Sequence, residues 1–90
     1  MRPDPELVHD EESFLAFVAA LEADRKYAAE QKPEPYGPRA GWENDSIEAF
    51  LGAALAWAKD SSFGRTQGLA DDVSVWRRVA TFLNCGKIYE

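Results

Sequence analysis

Val75-Trp76-Arg77-Arg78-Val79-Ala80-Thr81-Phe82-Leu83-Asn84-Cys85-Gly86-Lys87-Ile88-Tyr89-Glu90 closes the sequence. Trp76, Val79, Ala80 and Leu83 recur at i, i+3, i+4 and i+7, the period of a helix with one buried face. The spacing predicts a helix from about Val75 to Asn84, with Val75 and Phe82 on its flanks. Asp72 or Ser74 is placed to cap it. Gly86 suits a left-handed C-terminal cap, with Ile88 packing back; otherwise the helix runs on to the end. Either way the last residues are expected to take part in the fold.

Working outward, Asp60 to Asp72 is rich in Ser, Gly, Thr and Gln and reads as a loop, pinned by Phe63 and Leu69. Before it, Asp45-Ser46-Ile47-Glu48 has the form of a capping box. A second helix follows, about Ser46 to Lys59. Ile47, Phe50, Leu51, Ala54 and Ala58 form its stripe, and Leu55 and Trp57 widen it. So broad an apolar surface predicts the central, most buried element. Gly52 and the alanines would let another helix approach closely.

Lys32 to Gly41 holds Pro33, Pro35 and Pro38. Proline fixes φ and lacks a backbone donor, so this is a stiff connection within the domain. Asp10 is placed to cap a first helix that runs to about Ala29, with Glu11 and Glu12 in its first turn. Phe14, Phe17, Val18, Leu21 and Ala28 share one face. Residues 1–9 read as a lead-in, loosely ordered or docked by Leu7 and Val8. No period-2 alternation is long enough for a strand. The fold class is therefore all-α: one domain over residues 1–90, three main helices, and a Pro-rich loop between the first two.

Ninety residues suffice for one modest core. Three Trp, three Tyr and five Phe enrich it, since each ring removes about 150–250 Å² from water. The net charge is −6. Residues 1–32 carry eight acids against four bases, while residues 63–90 carry three against four. This balance disfavours nucleic acid, which needs clustered Lys and Arg, and suits a basic protein partner. No run is apolar and long enough for a membrane span or a signal peptide. The single cysteine, Cys85, suits a reducing cytoplasm.

The segments Gly41-Trp42-Glu43-Asn44, Phe50-Leu51-x-Ala53-Ala54-Leu55-Ala56-Trp57, Trp76-x-x-Val79-Ala80 and Gly86-Lys87-Ile88-Tyr89-Glu90 resemble a family of small bacterial single-domain proteins of unknown function. The opening Glu12-Ser13-Phe14-Leu15-Ala16-Phe17-Val18 fits the same pattern. The resemblance runs from about Leu7 to Glu90 and departs at Pro33 to Pro38, which is longer than the usual connection. It implies a compact, mostly helical cytoplasmic domain. It carries over no catalytic residue, cofactor or substrate.

The residues themselves assign no catalytic group, metal ligand or cofactor. His9 stands alone, and a metal site needs converging ligands. Cys85 has no histidine placed as its base and reads as a small buried hydrophobe. The acidic clusters lack cation-loop spacing and read as helix-end charge. Arg77 and Arg78 read as ion pairs with the acidic helices or as solvated charge. Trp57 and Trp76 read as core. Trp42 reads as a lid on the core or as an exposed anchor. With Tyr36, Arg39 and Glu43 it makes the best candidate partner-binding patch, because Trp, Tyr and Arg dominate binding hot spots.

Two functions follow as expectations. The first is a protein-binding or accessory module, immunity-like in its build, with no catalytic activity and of unspecified oligomeric state. The second is a small-molecule-binding or enzymatic domain, with a pocket between the second and third helices lined by Trp57 and Trp76.

Overall fold

A computed structural model describes residues 3–31 and 41–89. A one-turn 3-10 helix at Pro5–Leu7 precedes α1 (Glu11–Glu30) and α2 (Ile47–Asp60). A second short 3-10 turn, Arg65–Gln67, leads to α3 (Val75–Ile88). The described residues contain no strand, so the all-α expectation holds. The connection that includes Pro33 to Pro38 lies outside the described residues.

Each helix starts where a side chain takes an orphan backbone N–H. Asp10 accepts from Ser13 N–H at 2.8 Å, and Ser13 Oγ accepts from Asp10 N–H at 3.1 Å, which makes a reciprocal capping box. Ser46, rather than Asp45, caps α2, accepting from Ala49 N–H at 3.1 Å. Ser74 caps α3 through Trp76 N–H.

α3, not α2, is the central element. α1, α2 and the Pro5–Leu7 turn all pack on it, and α1 and α2 do not pack on each other. The expected stripe of α2 is rotated. Its buried residues are Ala53, Ala54 and Trp57, with Phe50 half-buried. Ile47, Leu51 and Leu55 are 78%, 56% and 51% exposed. One neighbouring helix cannot cover a helix that is apolar on nearly every side, so a ridge is left over.

Glycine use also differs from expectation. Gly52 faces open space. The close approach occurs at Gly86, which lies inside α3, where a Cβ would stand 2.9 Å from the Phe50 ring. Gly86 therefore does not end the helix; it lets α2 and α3 touch.

The α2–α3 turn is held by Ser61, buried, whose Oγ donates to Trp57 C=O and accepts from Gly64 N–H. Phe63 packs edge-on against Trp57 and stacks on Phe82. Phe63 is thus the expected pin, while Leu69 packs over Gly64 within the loop. Arg78 forms no ion pair among the described residues. It donates to the carbonyls of Phe63 (2.9 Å) and Ala70 (2.6 Å), clamping the loop to α3. At the other end Val8 is buried while Leu7 is exposed, and the Pro5–Leu7 turn packs on α3. Trp76 is 38% exposed and tilts against Phe14, a rim position rather than the expected core.

Candidate functional site

Gly41 turns the chain with φ +89°, a left-handed conformation that favours glycine, and delivers Trp42 into the core. Trp42 is only 5% exposed, so it is a lid and not a protruding anchor. Its indole N–H donates to Asp24 Oδ2 at 2.9 Å, and its ring stacks on Phe50 at 6.1 Å. Lys87 Nζ donates to the same Asp24 oxygen at 2.7 Å and lies 5.5 Å from the indole centre. The Arg25 guanidinium lies over the ring at 5.2 Å. Cations over an indole face are attracted by its quadrupole.

The next two residues close the end of α3. The last carbonyls of a helix lack intrahelical donors. Glu43 and Asn44 N–H both donate to Lys87 C=O, at 3.0 and 3.3 Å. The Asn44 side-chain amide donates to Gly86 C=O at 3.0 Å and Tyr89 C=O at 2.9 Å. The Trp-Glu-Asn segment thus has a structural task, joining α1, α2 and α3.

Beside this lid lies an open groove of about 470 Å³. α1 contributes Val18, Leu21, Glu22 and Arg25 to one wall. α2 contributes Ile47, Phe50 and Leu51 to the other. Trp42 and Leu83 also line it, and Asn44, Asp45 and Ser46 lie at the α2 end. The groove exists because α1 and α2 flank α3 without meeting. Its lining is almost wholly apolar, with carboxylates at Glu22 and Asp45 and one cation, Arg25. Arg25 Nη1 is buried and has no hydrogen-bond partner among the described residues.

Of the predicted patch, Trp42 lines the groove and Glu43 is exposed beside it. Tyr36 and Arg39 lie outside the described residues. The two tryptophans expected to line a pocket between the second and third helices have separate packing partners. Trp57 is buried against Phe63 and donates to Gln67 Oε1, whereas Trp76 packs on Phe14 elsewhere. Arg25 and Leu51 were not singled out as functional. The signal for Leu51 was the apolar ridge Ile47, Leu51, Leu55 at i, i+4 and i+8, a second face that needs cover.

The reactive residue types are otherwise engaged. His9, Asp10 and Ser13 are neighbours, but Ser13 Oγ donates to Asp10 at 2.6 Å and the His9 ring approaches Asp10 and Leu7 C=O. That is a helix cap; no histidine is placed to activate the serine. The hydrogen bonds from the Ser13 side chain and backbone hold the Asp10 carboxyl below its ordinary value. Burial pushes the Cys85 thiol up to about 11, which keeps it protonated and unreactive at neutral pH. Its bond to Asp60 raises the Tyr89 phenol. Among the described residues no group of three or more His, Cys, Asp or Glu is arranged to hold a metal. No described helix is long and apolar enough to cross a membrane.

Residues 10–90 match the model of a family of unknown function (DUF7660), and the chain belongs to that family. No curated protein and no solved structure matches it.

Proposed function

We propose that this member of the family is a protein-binding module whose α1–α2 groove receives an amphipathic helix of a basic partner. The carrying observation is the exposed ridge Ile47, Leu51 and Leu55, whose first two members line an apolar groove of about 470 Å³. A helix with apolar residues at i, i+3, i+4 and i+7 fills such a channel. Charge selects the partner. Glu22 and Asp45 line the groove, and the whole chain carries −6. A second copy would bring the same −6 and be repelled; a basic helix would be steered in. An accessory or immunity-like role in a bacterial cytoplasm is the setting we assign, in keeping with the lone cysteine and the acidic surface.

A photo-crosslinking amino acid at Leu51, expressed in the native host, tests this. Leu51 should yield a discrete adduct that is absent with the crosslinker at exposed Thr66 and lost on Ile47→Glu. No discrete adduct from Leu51, or the same adducts from Thr66, would refute the reading.

The volume also falls within the range of small-molecule sites, about 300–1,000 Å³. That second reading, a pocket for an apolar small molecule, predicts a ligand that copurifies and is displaced by Leu51→Glu without any protein adduct.

A further inference from the structure

The groove holds one feature that apolar docking does not use. Arg25 sits on α1 four residues before Ala29 and seven after Val18, so its side chain emerges on the groove wall. Its guanidinium lies over Trp42, and Nη1 is buried without a hydrogen-bond partner. Its neighbour Lys87 is spent on Asp24, and Lys26 pairs with Glu22 at 3.9 Å on the solvent side. Arg25 forms no ion pair with any described acid. A guanidinium has five N–H donors; here one nitrogen is buried without an acceptor while the side chain as a whole is only half-buried on the groove wall. Because the side chain is only half-buried and lines the groove, its accessible donors can take an acceptor that arrives from outside. The planar fork favours a carboxylate, which accepts two parallel bonds.

We infer that Arg25 is the anion-receiving point of the groove: the helix that docks there is apolar on its inner face, basic on its flanks, and carries one acidic side chain that pairs with the Arg25 guanidinium. The inference rests on reading the groove as a docking site. The stacked Trp42 ring holds the guanidinium in place, so little side-chain freedom is lost when the carboxylate arrives. The carboxylates of Glu22 and Asp45 repel a misplaced acid, so the pairing fixes the register of the incoming helix.

Two dyes with nearly the same aromatic body separate the terms. Anilinonaphthalene sulfonate carries an anion; N-phenylnaphthylamine is neutral. Fluorescence titration of the full chain should show both dyes bound, and both weakened by Leu51→Glu. Arg25→Met should lower the affinity for the sulfonate about tenfold and leave the neutral dye within about twofold. Arg25→Lys should fall between, and Lys26→Met, which removes an equal charge from the outer face, should leave the ratio of affinities unchanged. Circular dichroism melts show that each variant is folded. If Arg25→Met and Lys26→Met shift the ratio equally, or neither shifts it, Arg25 is not the receiving point although the groove still binds. If neither dye binds the native chain, or Leu51→Glu leaves both unaffected, the groove reading fails and the inference fails with it.

Discussion

Lys87 Nζ and Asp24 Oδ2 lie 2.7 Å apart, tying the last turn of α3 to the middle of α1. Both side chains are largely withdrawn from water, at 16% and 21% exposure. The same carboxylate oxygen accepts from the Trp42 indole. Removing one member of a mostly buried pair strands the other, and costs about 3–5 kcal/mol. Asp24→Ala should approach that loss in urea unfolding, and Trp42 fluorescence should shift as the lid loosens. A loss under about 1 kcal/mol would show that the pair contributes little.

Two glycine-to-alanine changes should have opposite signs. Gly86→Ala drives a methyl to 2.9 Å from the Phe50 ring and should cost about 1–3 kcal/mol by overpacking. Gly52→Ala meets nothing within 4 Å and should stabilise by about 0.5–1 kcal/mol through helix propensity. Thermal melts read both directly.

Asn44→Ala removes two donors from the end of α3, those to Gly86 and Tyr89. The expected cost is about 1–2 kcal/mol. Amide exchange should quicken at Tyr89, whose N–H bonds Cys85 C=O in the same turn, more than at residues in the middle of α1.

Phe50 and Leu51 are adjacent but not equivalent. Phe50→Ala removes the ring that stacks on Trp42 and covers Gly86, and should cost about 2–4 kcal/mol. Leu51→Ala alters an exposed side chain and should change stability by less than about 0.5 kcal/mol while weakening whatever occupies the groove. Equal losses in both would restore the stripe that the sequence pattern suggests.

Cys85 makes stability depend on alkaline pH. Burial raises its pKa from 9.0 to about 11, so between these values the folded chain holds a proton that the unfolded chain has released. Its contribution is complete below about pH 9 and is lost as pH rises toward about 11. Tyr89 is shifted in the same direction by Asp60. Stability measured across this window should fall less steeply in Cys85→Ala than in the native chain, with Tyr89→Phe as the control for the phenol.

Local rules were legible in this sequence wherever local chemistry decides. The Asp10 cap, the Ser74 cap, the three helices and the pin Phe63 all follow from spacing and residue type. The order of burial was not legible, because it depends on which helix lies between the other two. A helix as apolar as α2 invites a central placement, yet its small residues Ala53 and Ala54 face α3 and its largest aliphatics face outward. Gly86 was ambiguous for a related reason. A glycine near a helix end suits both a left-handed turn and a close contact, and only the position of Phe50 separates them. The candidate site was half visible. Trp42 stood out by its surroundings in sequence, but Arg25 looks like any charged residue on a helix until the indole beneath it is seen.

α1 and α2 pack on separate seams of α3, and Trp42 ties them together at one end of the groove through Asp24 and Phe50. That tie makes the lid the hinge about which the cleft would have to open to admit a wider guest, whereas a bundle closed along its whole length by a third helix pair would have no such opening.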